Sequence, residues 1–509
     1  MKAWWSSVIC ALLITSAPVL AKGGPHTSKP ELATNELKSS TFSDLDRIFE
    51  EWRRSAHVPG LVYGVVAGGK LVHVQGFGTQ EVGFARPITA ESLFRIASMS
   101  KGFTALAILK LRDAGKLSLD APAENYVPEL KGLRYPTQDS AKITVRELLN
   151  HSAGFVEDNP WGDRQQVLTE PEFTAMLAGG VPFSRAPGLA MEYSNFGYAT
   201  LGRIISNVSN EAYQSYIRRE IMAPLGMGSS GYDIFASPEQ RRAIGYRWQD
   251  NSWVREPDMK DGAFGAMGGI QTSANDYAKW VSFLLSAWPA RDGVDQGPIA
   301  RATVREIVTG SNFARGAMRD SAVGGTACRQ AVAYGMGWGV IDDCDLGRVV
   351  THTGGYPGYG SVVMLLPDAG VGIFAFANRT YGAPRVPAFR AALAIQKAGG
   401  FVERRVPVST ELETLYQSAR AVWRTGEIGS ASLASNMLLD RDAVRWRALI
   451  AGLKAEVGNC PAEEAIMPIS AMEGRFSWSC DRGRINGRVQ RAPTPQTQVQ
   501  ALEFSTAVP

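Results

Sequence analysis

Residues 99–112, from Met99 to Arg112, read as a helix that is apolar on nearly every side. A helix without a polar face has to sit in the middle of a large domain with packing all round it. A chain of 509 residues has room for such a core, at a soft prior of about three domains. Its 45% hydrophobic and 20% charged content is that of an ordinary globular protein, which rules out disorder for most of the chain. The helix also imposes a chemical condition. Lys101 lies in its first turn, and an unpaired charge in a core is costly, so Lys101 must meet polar partners there.

The elements around this helix follow from period and punctuation. Phe42, Leu45, Ile48, Phe49 and Trp52 fall at helical spacing. Residues 61–67 and 70–77 are β-rich runs around Gly68-Gly69, a hairpin. Residues 348–353, 361–366 and 371–377 form an antiparallel meander separated by Gly- and Pro-rich turns. Residues 94–288 are mostly helical segments and loops, and residues 384–398 return to helical spacing. The fold class expected is α+β: a five-stranded antiparallel sheet, two strands from 61–77 and three from 348–377, with a large helical region inserted between them. The helices over 42–54 and 384–398 would cover one face. After Gly400 come helical patterns at 411–424 and 440–453 and strand patterns at 474–480, 484–490 and 498–505. Residues 401–509 thus read as a small α+β accessory module, either a cap over the site of the 41–400 domain or a partner-binding unit.

The first 21 residues have the shape of a secretory signal peptide, with Lys2, an apolar stretch and small residues ending at Ala21. Polar interruptions leave that stretch short of a membrane span, so no stable span is expected after cleavage. A flexible lead-in occupies residues 22–40. Cys10 would leave with the signal, making the remaining count even: Cys328, Cys344, Cys460 and Cys480. A secreted or periplasmic location permits disulfides. Of the three possible connectivities, the pairing of near neighbours, Cys328 with Cys344 and Cys460 with Cys480, is preferred.

Several function classes drop out. Lys and Arg exceed Asp and Glu by 53 − 49 = +4, with no run of five or more like charges, so nucleic acid is not an expected partner. The five His residues have no metal-binding spacing, and neither a metal nor a cofactor is expected. Residues 64–70 match the start of a P-loop, but Leu71 stands where the magnesium-binding hydroxyl belongs and no helix pattern follows. No G-x-S-x-G occurs, which excludes an α/β-hydrolase elbow.

What remains is an S-x-x-K at the head of the buried helix. Ser98 and Lys101 lie three residues apart and so share one face, where free N–H groups and the positive end of the helix dipole can meet an oxyanion. Alone the motif is weak. Tyr193-Ser194-Asn195, the only Y-x-N, and His352-Thr353-Gly354, the only [KH]-T-G, follow in order. Taken singly, Tyr193 is a packing residue, Asn195 a helix cap and His352 a hydrogen-bonded strand residue. Together with Ser98 and Lys101 they resemble the serine β-lactamase and penicillin-binding family, in its class C-like branch of D-alanyl-D-alanine carboxypeptidases, D-aminopeptidases and esterases, over roughly residues 41–400.

The resemblance implies acyl transfer on a β-lactamase-like fold. Ser98 is the nucleophile, and Lys101 and Tyr193 share the proton transfers, with the identity of the base left open. A Lys101 ammonium beside Tyr193 would favour the phenolate. Asn195 would hold Lys101 or the substrate amide, the backbone N–H groups of Ser98 and Gly355 would form the oxyanion hole, and Thr353 and Gly354 would let substrate lie along a strand edge as an added strand. His151, between Leu148-Leu149 and Ser152-Ala153-Gly154, reads as a loop organiser. The expected partner is a small acyl substrate: a D-amino-acid peptide, an ester or a β-lactam. Because His352 is mostly neutral at neutral pH, it lacks the permanent cation that Lys offers a β-lactam carboxylate. Peptidase or esterase activity is therefore expected over efficient β-lactamase activity. The alternatives are an inactive penicillin-binding module, against which Lys101 beside Ser98 speaks, and a true class C-like β-lactamase.

Overall fold

The computed structural model describes residues 39–320, 327–402, 404–461 and 464–506. The expected signal peptide, Cys10 and all but the last two residues of the lead-in lie outside the described residues.

The central sheet runs through β1 (Gly60–Ala67), β2 (Lys70–Gly78), β3 (Asn312–Asp320), β4 (Ala327–Tyr334), β5 (Gly339–Asp343), β6 (Gly347–Tyr356), β7 (Tyr359–Leu366) and β8 (Val371–Ala377). Its spatial order is β2-β1-β8-β7-β6-β5-β4-β3, antiparallel between neighbours. The five strands expected from sequence are contiguous in it, and β5, β4 and β3 extend it to eight on the β6 side. The β1–β2 hairpin turns on Gly68 and Gly69 at φ 57° and 76°, the left-handed pair that a two-residue turn needs. Strands β1, β7 and β8 are buried along nearly their whole length, because helices cover both faces of the sheet.

The helices that position the site are α1 (Ser39–Ser55), α2 (Lys101–Asp113), α3 (Trp161–Arg164), α4 (Asn195–Ser209), α5 (Ala274–Leu285) and α6 (Arg385–Lys397). On one face α1 and α6 pack Leu45, Phe49, Ala391 and Ile395 against Tyr63 and Val65, the arrangement expected for the two terminal helices. The other face carries the larger core, in which α2 is buried from Lys101 to Leu109 and Phe103 stacks on Trp280 of α5 with ring centroids 3.9 Å apart. The helix expected over 99–112 opens as a 3₁₀ turn, Ala97–Ser100, and becomes α-helical at Lys101.

Beyond residue 409, α7 (Thr410–Thr425) and α8 (Ala443–Val457) pack on a four-stranded antiparallel sheet of β9 (Met467–Ser470), β10 (Glu473–Cys480), β11 (Gly483–Arg491) and β12 (Val499–Ser505). Trp423, Trp478, Phe476 and Phe504 form a core of their own there. The disulfides Cys328–Cys344 and Cys460–Cys480 are both formed, as the near-neighbour pairing expects.

Candidate active site

Ser98 sits in the 3₁₀ turn that leads into α2, directly after Ala97, whose φ of 48° is an unusual left-handed conformation for a residue with a side chain. Such conformations are held only where the surroundings enforce them, and they concentrate at functional sites. Lys101 opens α2 and is wholly buried. Its Nζ lies 3.1 Å from Ser98 Oγ, 2.7 Å from Asn195 Oδ1 and 2.8 Å from the carbonyl oxygen of Met267. These are the partners that the burial of this lysine requires.

Asn195 is delivered by α4, but it is not the cap of that helix. The Ser194 side chain caps it, accepting from the Gly197 N–H. The Asn195 amide gives Oδ1 to Lys101 and donates from Nδ2 to Asn159 Oδ1 at 2.8 Å. Both oxygens of Asp158 accept from the first helical N–H groups, those of Asn195 and Phe196, at 2.8 Å each. A carboxylate at this end of α4 fits the helix dipole and fixes where Asn195 points.

Tyr193 lines the same cleft wall as Ser98. Lys101 Nζ stands 4.8 Å from the centroid of the Tyr193 ring, over its face rather than against its oxygen. The expected phenolate is not what this environment favours. Burial raises the Tyr193 pKa above that of a free tyrosine, and the neighbouring Ser98 hydroxyl offsets only part of the rise. Lys101 moves the other way: burial lowers it to about 7, against the opposing pull of Asp163 and Asp158.

His352, on β6, is buried and pushed down to about 3 by burial first and the Lys101 charge second. Its Nδ1 donates to the Thr353 carbonyl at 2.6 Å and its Nε2 accepts from the Tyr334 hydroxyl at 2.9 Å, which suits a neutral imidazole. His151 accepts the Ser194 N–H on Nδ1 at 3.2 Å and packs its ring on Tyr193, centroids 4.3 Å apart, so it organises the loop as expected.

Thr353 and Gly355 line the same cleft of about 610 Å³ as Ser98, Tyr193 and His352. Gly354 turns the other way: a Cβ there would collide with Ser361 Oγ, the Ile96 carbonyl and Ala97, so its role is to let β6 lie against the turn that carries Ser98. Pairing of β6 with β5 ends at Thr351↔Gly339. Among the described residues, the β6 edge from His352 onward therefore has no strand beside it.

Five cleft residues went unread in the sequence: Glu157, Asn159, Pro160, Asp163 and Tyr381. Asp163, on α3, is 2% exposed and accepts from the Tyr381 hydroxyl at 3.2 Å, and burial lifts its carboxyl to about 6. The only local signal is the pair of acids flanking the Asn159-Pro160 turn and Gly162, and Gly162 has no room for a Cβ against Asn195.

Comparison with known proteins bears on the family and the fold. Protein flp of Staphylococcus aureus (strain N315) is 29% identical over 351 residues, covering 67% of this chain and 64% of its own length. Penicillin-binding protein 4* of Bacillus subtilis is 26% identical over 350 residues, 65% of this chain and 70% of its own. The chain thus spans less than two thirds of the flp proteins. The octameric penicillin-binding protein homologue from Pyrococcus abyssi shares the fold at a TM-score of 0.60 and 22% identity, over 91% of this chain and 98% of that one. The family model described as Beta-lactamase matches residues 45–397, and the chain belongs to the beta-lactamase family.

Proposed function

We propose that this protein is an exported serine hydrolase that forms an acyl-enzyme on Ser98 with small peptides or esters. One observation carries the reading. Lys101 Nζ has three neighbours, and two of them, Asn195 Oδ1 and the Met267 carbonyl, can only accept. A neutral amine has two N–H bonds and one lone pair. The two carbonyl oxygens take the N–H bonds, and the lone pair is left for the Ser98 hydroxyl at 3.1 Å. A lysine whose pKa is lowered to about 7 is neutral often enough to act this way.

Ser98 Oγ–H gives its proton to Lys101 Nζ as Oγ bonds the carbonyl carbon, and the carbonyl electron pair moves to oxygen. The Ser98 and Gly355 N–H groups are the proposed oxyanion donors. Collapse expels the leaving group, which takes a proton from the Tyr193 hydroxyl as that hydroxyl takes one from the Lys101 ammonium, so that Lys101 is neutral again. Water then attacks the ester, its proton passes to the same base, and Ser98 is restored. The free edge of β6 beyond Thr351 supports docking of a peptide substrate as an added strand.

A neutral His352 supports peptidase or ester hydrolysis over efficient β-lactamase turnover, since it supplies no cation for a β-lactam carboxylate. Two disulfides support export to an oxidising compartment, and among the described residues no helix is long and apolar enough to cross a membrane. The test sets p-nitrophenyl esters and D-alanyl peptides beside nitrocefin, with Ser98→Ala as control. Ester or peptide hydrolysis that is lost in Ser98→Ala is expected. Nitrocefin turnover faster than both would reverse the order of substrates.

A further inference from the structure

The cleft beside Ser98 is acidic. Glu157 and Asp163 line it, and among the described residues no Lys or Arg does. Lys101, beneath it, has its three bonds taken by Ser98, Asn195 and Met267, and His352 holds its ring between Thr353 and Tyr334. A substrate carboxylate entering here finds no free positive partner in the described lining and meets two carboxylates.

Asp163 is distinct from its acidic neighbour. Asp158 gives both oxygens to the N-terminus of α4. Asp163, 2% exposed in the cleft wall, has a neutral phenol, Tyr381, as its hydrogen-bond partner. Tyr381 in turn lies against Gly355, where an added Cβ would meet its ring at 2.9 Å, so Asp163 is fixed relative to the oxyanion side of the cleft. The other positive charges that Asp163 feels are Lys101 and the exposed Arg164 beside it. A carboxylate this buried, with a neutral hydrogen-bond partner, gains most from a ligand that brings a positive charge.

We propose that Asp163, with Glu157 at the rim, receives a positively charged nitrogen of the substrate, so that the enzyme selects acyl donors carrying a free ammonium near the scissile carbonyl over capped or carboxylate-bearing ones. This rests on the acyl-transfer reading and narrows it to aminoacyl amides and esters. Discrimination of this kind combines attraction for the cation with repulsion of the carboxylate.

The test uses the full-length protein and three kinds of substrate: alanine p-nitroanilide as both enantiomers, the N-acetylated counterparts, and p-nitrophenyl acetate as a neutral acyl donor. The free-amine anilide is expected to exceed its N-acetyl counterpart in kcat/KM by at least about tenfold, and Asp163→Asn to lower that ratio by about tenfold. Glu157→Gln, at an exposed position, is expected to lower it by roughly twofold and more steeply at low salt, which keeps the idea testable should Asp163→Asn fail to fold. Equal or better turnover of the N-acetyl substrate, or a ratio untouched in both variants, overturns the subsite. Cleavage of p-nitrophenyl acetate with no amine preference removes the subsite alone. Failure to cleave any of the three removes the hydrolase reading with it.

Discussion

Two residues that the sequence leaves interchangeable are separated by their surroundings. Tyr193 and Lys101 are both buried, and burial disfavours whichever form is charged, which pushes the phenol up and the amine down. The amine becomes the more accessible base near neutrality. Because the base must be unprotonated, kcat/KM for a p-nitrophenyl ester is expected to rise with pH through about 7 and then level off. A profile that is flat across that range contradicts the assignment of Lys101. Ser98 and Lys101 were legible because an i, i+3 pair at the head of a helix declares its own geometry. Asp158 and Asp163 were not. Nothing in residues 157–163 announces that they will fold over Asn195, and that proximity exists only once α3 packs on α4.

At the scale of elements, β6 does the assembling, and its glycines look like turn residues in the sequence but lie within the strand. The reason is close approach: Gly354 has no room for a Cβ between Ser361 and the Ile96–Ala97 backbone. Gly354→Ala is expected to cost about 1–3 kcal/mol in urea unfolding and to lower kcat, because relief of the clash moves the turn bearing Ser98. Unchanged stability would show that the approach is looser than described. The three extra strands were missed for a related reason. Strand β4 carries Arg329 and Gln330 and is only patchily buried, so no clean apolar alternation marks it. The β4–β5 hairpin it forms is closed by Cys328–Cys344, 16 residues apart. Replacing both cysteines by serine is expected to destabilise the protein by roughly 2–4 kcal/mol, read from the thermal midpoint. A shift indistinguishable from zero would mean that the bond constrains little in the unfolded chain.

For the whole molecule, the sheet domain and the segment after residue 409 have separate cores, and the described cleft lining ends at Tyr381. A cap over the site, one of the two roles the sequence allowed, would have to contribute residues to that lining. Truncation after Arg405, which keeps the Arg404 bond to the Leu285 carbonyl, is therefore expected to leave a folded domain with ester hydrolysis within about twofold of the full chain. Loss of folding would show that the C-terminal segment supports the larger domain. The first hairpin, the three-stranded meander, the two terminal helices and the disulfide pairing could all be read from local pattern, whereas the outer edge of the sheet and the acidic wall of the cleft depend on contacts between distant segments.

The most direct measurement is covalent. Incubation of the full-length protein with a fluorophosphonate, followed by mass mapping, is expected to give one adduct, on Ser98. The adduct should vanish in Ser98→Ala and form more slowly in Lys101→Ala by at least about a hundredfold. An adduct on another residue, or labelling that persists in Ser98→Ala, would contradict the assignment of Ser98 as the nucleophile that Lys101 activates.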